Sequence, residues 1–363
     1  MHFSLPTILS IAAAVSMVAA HPELHNHNHN HPRRQLNTRA PSSSSKCAAQ
    51  ISARREATLT KRREALYKRR LEAMGEEKGA IAARNNLIDR NVYSTIQNTT
   101  CVLAPDTIFG PYGVDGELHR HDVREDSKGV DLYLDFGVID TETCEPLPNA
   151  WLSIWSCNAT GTYASYTGID PNTVSVLDGW TQRSDGTTDD TTFLRGISKT
   201  DTDGMTEFLT IFPGYYASRT THIHVTVQTN VSGTDTSYSN ASVQHVGQIF
   251  FQESLINKVY ELSPYKAHLS TLNRTTNSED SLMSVANADG YSAMVSTAML
   301  GDSLEDGLVG YITVGVNSTA DAIAVTGTDV NVQGWLPTVS LASGAQASAS
   351  AIDAAAGYTL KKN

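Results

Sequence analysis

Apolar and polar residues alternate along several short stretches of this chain. Residues 130–139 alternate over a full run, and so do 150–156 and 223–227. Residues 206–212, 248–251 and 308–316 are rich in β-branched and aromatic side chains as well. A period of two sends successive side chains to opposite faces, so each stretch reads as a β-strand with one buried face. Turn formers separate them: 141–149, Asp201-Thr202-Asp203-Gly204 and Pro213-Gly214. Many short strands with few helices predict a mainly β fold, an antiparallel β-sandwich core over residues 95–335.

The flanks have different patterns. Residues 1–20 hold an apolar run that ends Val18-Ala19-Ala20, which reads as a secretory signal peptide. Residues 21–46 form a His- and Ser-rich leader with five histidines, of a composition that predicts disorder. Residues 47–90 form a helical segment dominated by Ala, Leu, Arg, Lys and Glu, with Leu59, Leu66, Leu71 and Met74 at near-helical spacing. The segment could pack on the main domain or pair two copies into a homodimer. Its apolar face is too thin to predict stable membrane association. Residues 336–363 read as a flexible Ala/Ser/Gly-rich tail.

Charge sharpens this division. Residues 21–90 carry 15 Lys/Arg and 7 Asp/Glu, whereas 91–363 carry 12 and 31. A main domain with a net charge of −19 is a poor partner for nucleic acid. Six Asn-x-Ser/Thr sequons, at Asn98, Asn158, Asn230, Asn240, Asn273 and Asn317, fit a secreted, extracellular glycoprotein. The four cysteines Cys47, Cys101, Cys144 and Cys157 suit two structural disulfides. Cys144 with Cys157 and Cys47 with Cys101 is one of three possible pairings.

The segment 212–225 concentrates the chemistry. His222 and His224 sit at i and i+2 on a predicted strand, so both imidazoles leave the same face. A tyrosine before them, beyond the Pro213-Gly214 turn, can fold back to the same point. Two imidazoles with a phenolate oxygen suit a hard, oxidised ion, and Fe(III) fits better than zinc.

Several motifs occur in one order over residues 101–252: Phe109-Gly110-Pro111-Tyr112, Arg120-His121-Asp122, Cys144-Glu145-Pro146-Leu147-Pro148-Asn149-Ala150, a tryptophan motif from Ile154 that closes on Gly161-Thr162-Tyr163, Phe193-Leu194-Arg195-Gly196, the 213–224 segment and Gln248-Ile249-Phe250-Phe251. In this order they resemble the intradiol ring-cleavage dioxygenases, and most closely the secreted branch found in fungi. The resemblance implies a ferric ion, Fe(3+), held by Tyr163, Tyr216, His222 and His224, with Tyr215 as the rival for the second phenol. It also implies Arg219 and Gln248 as catalytic residues beside the metal, and a catecholic or phenolic substrate opened with O2 to a muconate-type diacid. Gly113 and Ser156 depart from the branch's usual tyrosine and histidine without touching an implied ligand. Two readings of other classes stay open: a secreted metal- and catechol-binding module without turnover, and a cell-surface interaction protein.

Overall fold

The computed structural model describes residues 117–172, 187–229, 242–287 and 291–319, with isolated positions between 61 and 114, residue 183 and two short strands between 232 and 239. The expected signal peptide, leader and tail lie outside the described residues. Of the expected helical segment only Lys61, Glu64, Ala65 and Lys68 are described, and they are helical and exposed.

Two sheets form the body. One joins β1 (Val102–Leu103), β11 (Leu308–Val316), β2 (Asp131–Asp140) and β5 (Met205–Ile211) in that order, with β10 (Ser296–Met299) also paired to β11. The other runs β4 (Arg195–Lys199), β3 (Trp151–Trp155), β6 (His222–Thr229), β9 (Ser242–Phe250) and is antiparallel throughout. β7 (Ser232–Thr234) and β8 (Ser237–Ser239) form a hairpin between β6 and β9. Three short helices follow: α1 (Glu253–Val259), α2 (Tyr265–Leu269) and α3 (Ser281–Ala286).

Strand alternation explains the interior. Leu132, Leu134, Phe136 and Val138 of β2 enter one apolar cluster with Leu152 and Ile154 of β3 and Ile223, Val225 and Val227 of β6. Each is 0–1% exposed, so the two sheets face each other across a dry core. At roughly 25 cal/mol per Å² of apolar surface, this burial supplies the main drive for folding. β11 is buried at all nine positions, because it lies between neighbours in its sheet and is covered on both faces.

The structure departs from an all-antiparallel arrangement in one place. β11 runs parallel to both β1 and β2, in register from Leu308↔Leu132 to Val316↔Asp140. A parallel pair needs a long crossover, and here most of the domain intervenes between β2 and β11.

Two intrachain disulfides, and with them the possible Cys144–Cys157 bridge, are excluded. Cys157 is a free, buried thiol. Cys144 is disulfide-bonded, to a partner outside the described residues. The two cysteines are near in sequence but follow strands of opposite sheets: Cys144 lies in the turn after β2, and Cys157 just beyond β3. No helix among the described residues is long and apolar enough to cross a membrane.

Candidate metal centre

The site lies on the other face of the four-stranded sheet. On β6 the odd positions Ile223, Val225 and Val227 enter the inter-sheet core, so His222, His224, Thr226 and Gln228 point outward. That outward face is still buried, because Tyr112, Trp155, Cys157, Tyr163, Tyr166, Ile169 and Tyr216 form a second cluster over it. Register aligns one row across three strands: Trp155 pairs with His224, and His224 with Gln248. Cross-strand partners share a face, and the Trp155 ring stacks on His224 with centroids 4.8 Å apart and planes 8° apart.

Two loops bring the tyrosines. The loop after β3 ends at Tyr163, and the loop after β5 carries Tyr216. They meet backbone to backbone at Asn158, whose carbonyl accepts from Gly161 N at 3.0 Å and Gly214 N at 3.2 Å. The Asn158 side chain also accepts from Thr160 N and Thr162 N, each at 3.0 Å. A Cβ at Gly214 would lie 2.4 Å from Asn158 O, and one at Gly161 2.4 Å from Tyr215 O. Gly161 also has φ +90°, a conformation L side chains rarely adopt. Next to Tyr216, Ser218 holds φ 68° in the tight turn where Arg219 N donates to Tyr216 O. That turn sets Tyr216 and Arg219 side by side.

Adjacent tyrosines diverge here. Tyr215 turns toward α2, where its hydroxyl donates to Leu272 O at 2.6 Å and its ring stacks on His268. Tyr216 turns to the histidines: its Oη lies 3.3 Å from His222 Nε2. Tyr163 Oη lies 3.4 Å from the same nitrogen, and His224 Nε2 3.2 Å from it. All four residues are only 1–3% exposed.

The donor set fits a cation. His222 Nδ1 lies 2.6 Å from Thr220 O, so Nδ1 carries a proton, and it is in the neutral ring that Nε2 offers a lone pair. One lone pair cannot serve two hydroxyls while facing a second imidazole nitrogen. Burial, with help from the neighbouring His222 and Arg219, holds His224 well below the ordinary histidine range, so it is neutral. Burial also raises both phenols well above the ordinary tyrosine value, with the Arg219 charge offsetting only part of it. Metal binding is the event that would release those protons. Donors about 2.0–2.2 Å from a shared first-row ion stand roughly 3 Å apart, close to the 3.2–3.4 Å separations seen. Among the described residues no three His, Cys, Asp or Glu side chains converge, so a metal centre there needs phenol ligands.

Arg219 and Gln248 stand next to this set. Arg219 is 1% exposed and Gln248 0%. One guanidinium nitrogen donates to Gln248 Oε1 at 2.5 Å, while Arg219 Nη1 and Gln248 Nε2 have no hydrogen-bond partner among the described residues. Burial works against the Arg219 charge, but Asp280 and the two phenols more than offset it. Asp280 was not foreseen from the sequence. It lies outside the motif-bearing region, and its only local signal is a helix N-cap before α3.

The other candidates fall into structural roles. Arg195 is a buried ion-pair residue: it bonds Glu117 at 3.1 Å and the carbonyls of Tyr112 and Ala164, tying together the loops that bear Tyr112 and Tyr163. Arg120 bonds the carbonyls of Arg195 and Thr192. Asp122 and Asp201 hold turns through Arg124 N and Asp203 N. Tyr112 stacks on Tyr163 at 4.4 Å and meets Tyr216 edge-on at 6.0 Å, so it walls the site. Gly113, at the departure from the tyrosine pattern, offers its carbonyl to the Tyr166 hydroxyl.

No protein-family model and no curated protein matches the chain. Among solved structures it is similar to an intradiol ring-cleavage dioxygenase from Tetranychus urticae, at 28% identity and TM-score 0.50, covering 61% of this chain and 97% of that one. It is also similar to a second dioxygenase at 27% identity and TM-score 0.49, with the same coverage. A hydroxyquinol 1,2-dioxygenase from Pseudomonas putida lies further off, at 16% identity, TM-score 0.35, covering 64% of this chain and 70% of that one. The mite enzyme is matched over nearly its whole length, so this chain has an intradiol dioxygenase-like fold.

Proposed function

We propose that this protein is a ferric dioxygenase that opens catechol-type rings between their two hydroxyls with O2, giving muconate-type diacids. The observation that carries this reading is the convergence of Tyr163 Oη, Tyr216 Oη and His224 Nε2 on His222 Nε2 within 3.2–3.4 Å in a buried cluster. Tyr163, Tyr216, His222 and His224 would hold a ferric ion, which would supply Lewis-acid and redox chemistry toward a catechol and O2.

The chain's own residues do the rest. Neutral imidazoles and phenol oxygens give an oxidised ion hard, strongly donating ligands. Tyr216 is read as the base that takes a catechol proton, as the family resemblance implies. Arg219 is a fixed cation whose Nη1 is free to meet negative charge as it develops, and Gln248 Nε2 is a second donor beside it. Neither has to reorganise, since both are buried and already bonded to each other. The wall of Tyr112, Trp155 and Tyr166 keeps bulk water from the pocket.

Export to the extracellular space, N-glycosylation and membership of the secreted fungal branch are part of the proposal and rest on the leader, the sequons and the motif order. Pairing of two copies through the 47–90 segment is proposed on its amphipathic pattern alone. The reaction is tested with the iron-loaded protein, 4-methylcatechol and an oxygen electrode, with product analysis. One O2 consumed per ring and a muconate-type diacid support the reading. Catechol binding without O2 uptake would replace it with a binding module, and recovery of the protein only inside cells would end the secretion claim.

A further inference from the structure

Asp280 is 1% exposed, and each of its carboxylate oxygens serves a different element. Oδ1 caps α3, accepting from Leu282 N at 2.9 Å and Met283 N at 3.0 Å. Oδ2 accepts from Arg219 Nε at 2.8 Å and from Thr220 N at 2.9 Å. The two residues it reaches adjoin the candidate metal centre. Arg219 held at Nε presents one nitrogen to Gln248 and leaves Nη1 unpartnered among the described residues. Thr220 held at its N–H presents its carbonyl to His222 Nδ1 at 2.6 Å, which fixes the ring's tautomer and tilt. The same segment grips Thr220 a second time, since Thr220 Oγ1 donates to Asn277 Oδ1 at 2.7 Å. Asn277 is in turn anchored to Phe251 O and to Glu253.

We infer that Asp280 is a positioning residue for this site: one carboxylate aligns the Arg219 guanidinium and, through Thr220, the imidazole of His222. The inference rests on the dioxygenase reading for its kinetic part only. A buried ion pair adds little to stability on its own, whereas loss of one partner leaves the other charge exposed to a poor environment. A guanidinium freed from Asp280 has no fixed direction. Small misplacements of such a group lower turnover on the order of 100-fold.

The test compares wild type with Asp280→Ser, Asp280→Asn and Asp280→Glu in the full chain. Serine still caps α3 but is too short to reach Arg219. Asparagine also caps α3 but sets an amide N–H₂ against the donors of Arg219 and Thr220. The first readout needs no turnover: the Nε–H signal of Arg219 in arginine-labelled protein, assigned by its loss in Arg219→Lys. It exchanges slowly in wild type and many-fold faster in the Ser and Asn variants. With iron bound, both variants keep their iron content, while their melting temperature falls because the Arg219 charge is left buried without its carboxylate. Their kcat falls by ~100-fold with KM nearly unchanged, and Asp280→Glu recovers most of the loss. An unchanged Arg219 signal, or wild-type kcat in Asp280→Ser, overturns the inference. So does a loss of iron from the still-folded capping variants with the Arg219 signal unchanged, which would make Asp280 a folding residue only. If wild type turns over no catechol, the proposed function fails, and the Arg219 signal alone decides for Asp280.

Discussion

The two faces of the four-stranded sheet are both buried, yet they are built on opposite rules. The inner face of β6 offers Ile223, Val225 and Val227, each 0% exposed, to the other sheet. The outer face offers His222, His224 and Thr226, at 1–2% exposed, to a layer of aromatic loops. The inner face is held by apolar area and tight packing, and each methyl group contributes. The outer face holds two imidazoles, of which His224 is held neutral, raised phenols and an arginine with an unpartnered nitrogen, all desolvated. Such a layer is a poor source of stability and a candidate binding site. The comparison teaches that a strand's two-residue period is enough to separate folding from chemistry by a single residue step.

The sharpest way to break that contrast is on the two sides of one strand. His224→Ala is expected to abolish ferric binding and O2 uptake while the melting temperature of the iron-free protein holds. Loss of the fold in this variant would join the two faces into one function. Ile223→Ala, one residue away, is expected to cost about 2–5 kcal/mol by removing buried methyl groups and to leave iron stoichiometry intact. Denaturant unfolding beside metal analysis separates these outcomes.

Next in size are the loop contacts. Gly214→Ala puts a Cβ 2.4 Å from Asn158 O, a backbone atom that cannot easily retreat. It should separate the Tyr163 and Tyr216 loops, weakening iron binding more than it lowers the melting temperature. A variant with wild-type iron affinity would show that the loops tolerate slippage.

Acid sensitivity gives a smaller effect. Burial depresses His268 to about 4, and its Nε2 contacts Asn172 Oδ1 at 3.0 Å in the neutral form. The unfolded chain binds this proton more readily, so His268 stabilises the fold above the ordinary histidine range. That contribution is lost as pH falls from about 6.5 toward about 4. Melting temperatures of His268→Gln should therefore fall less than those of wild type over this window. Equal slopes would remove His268 from the acid limb.

The smallest effect is chemical. Burial pushes the Cys157 thiol up to about 12, so it should resist alkylation at pH 8 until the protein is denatured. Rapid labelling of the native protein would mean that the aromatic layer opens to solvent.

Much of this was legible in the sequence, for physical reasons. Alternation at 223–227 gave both faces of β6, because side-chain direction follows from strand period alone. The Pro213-Gly214 turn and the Gly161-x-Tyr163 spacing marked loops whose backbones touch, and the structure shows both glycines at such contacts. The choice between Tyr215 and Tyr216 had only a motif offset behind it. In the structure the two hydroxyls point to opposite neighbours, Leu272 O and His222 Nε2. Other features had no local signal. Asp280 reaches Arg219 across 61 residues of chain and looks in sequence like any helix cap. The parallel pairing of β2 with β11 depends on the path between them, which alternation does not encode. The cysteine pairing had no signal in the sequence for a related reason, since Cys144 and Cys157 follow strands of different sheets.

The central claim is that Tyr163, Tyr216, His222 and His224 hold one ferric ion. The most direct measurement is the visible and resonance Raman spectrum of the protein after Fe(III) loading, alongside Tyr163→Phe, Tyr216→Phe and the double variant. The account predicts a red-brown tyrosinate-to-iron band with phenolate vibrations, reduced in each single variant and absent in the double. A protein that binds Fe(III) without colour, or a double variant that keeps the band, would contradict it.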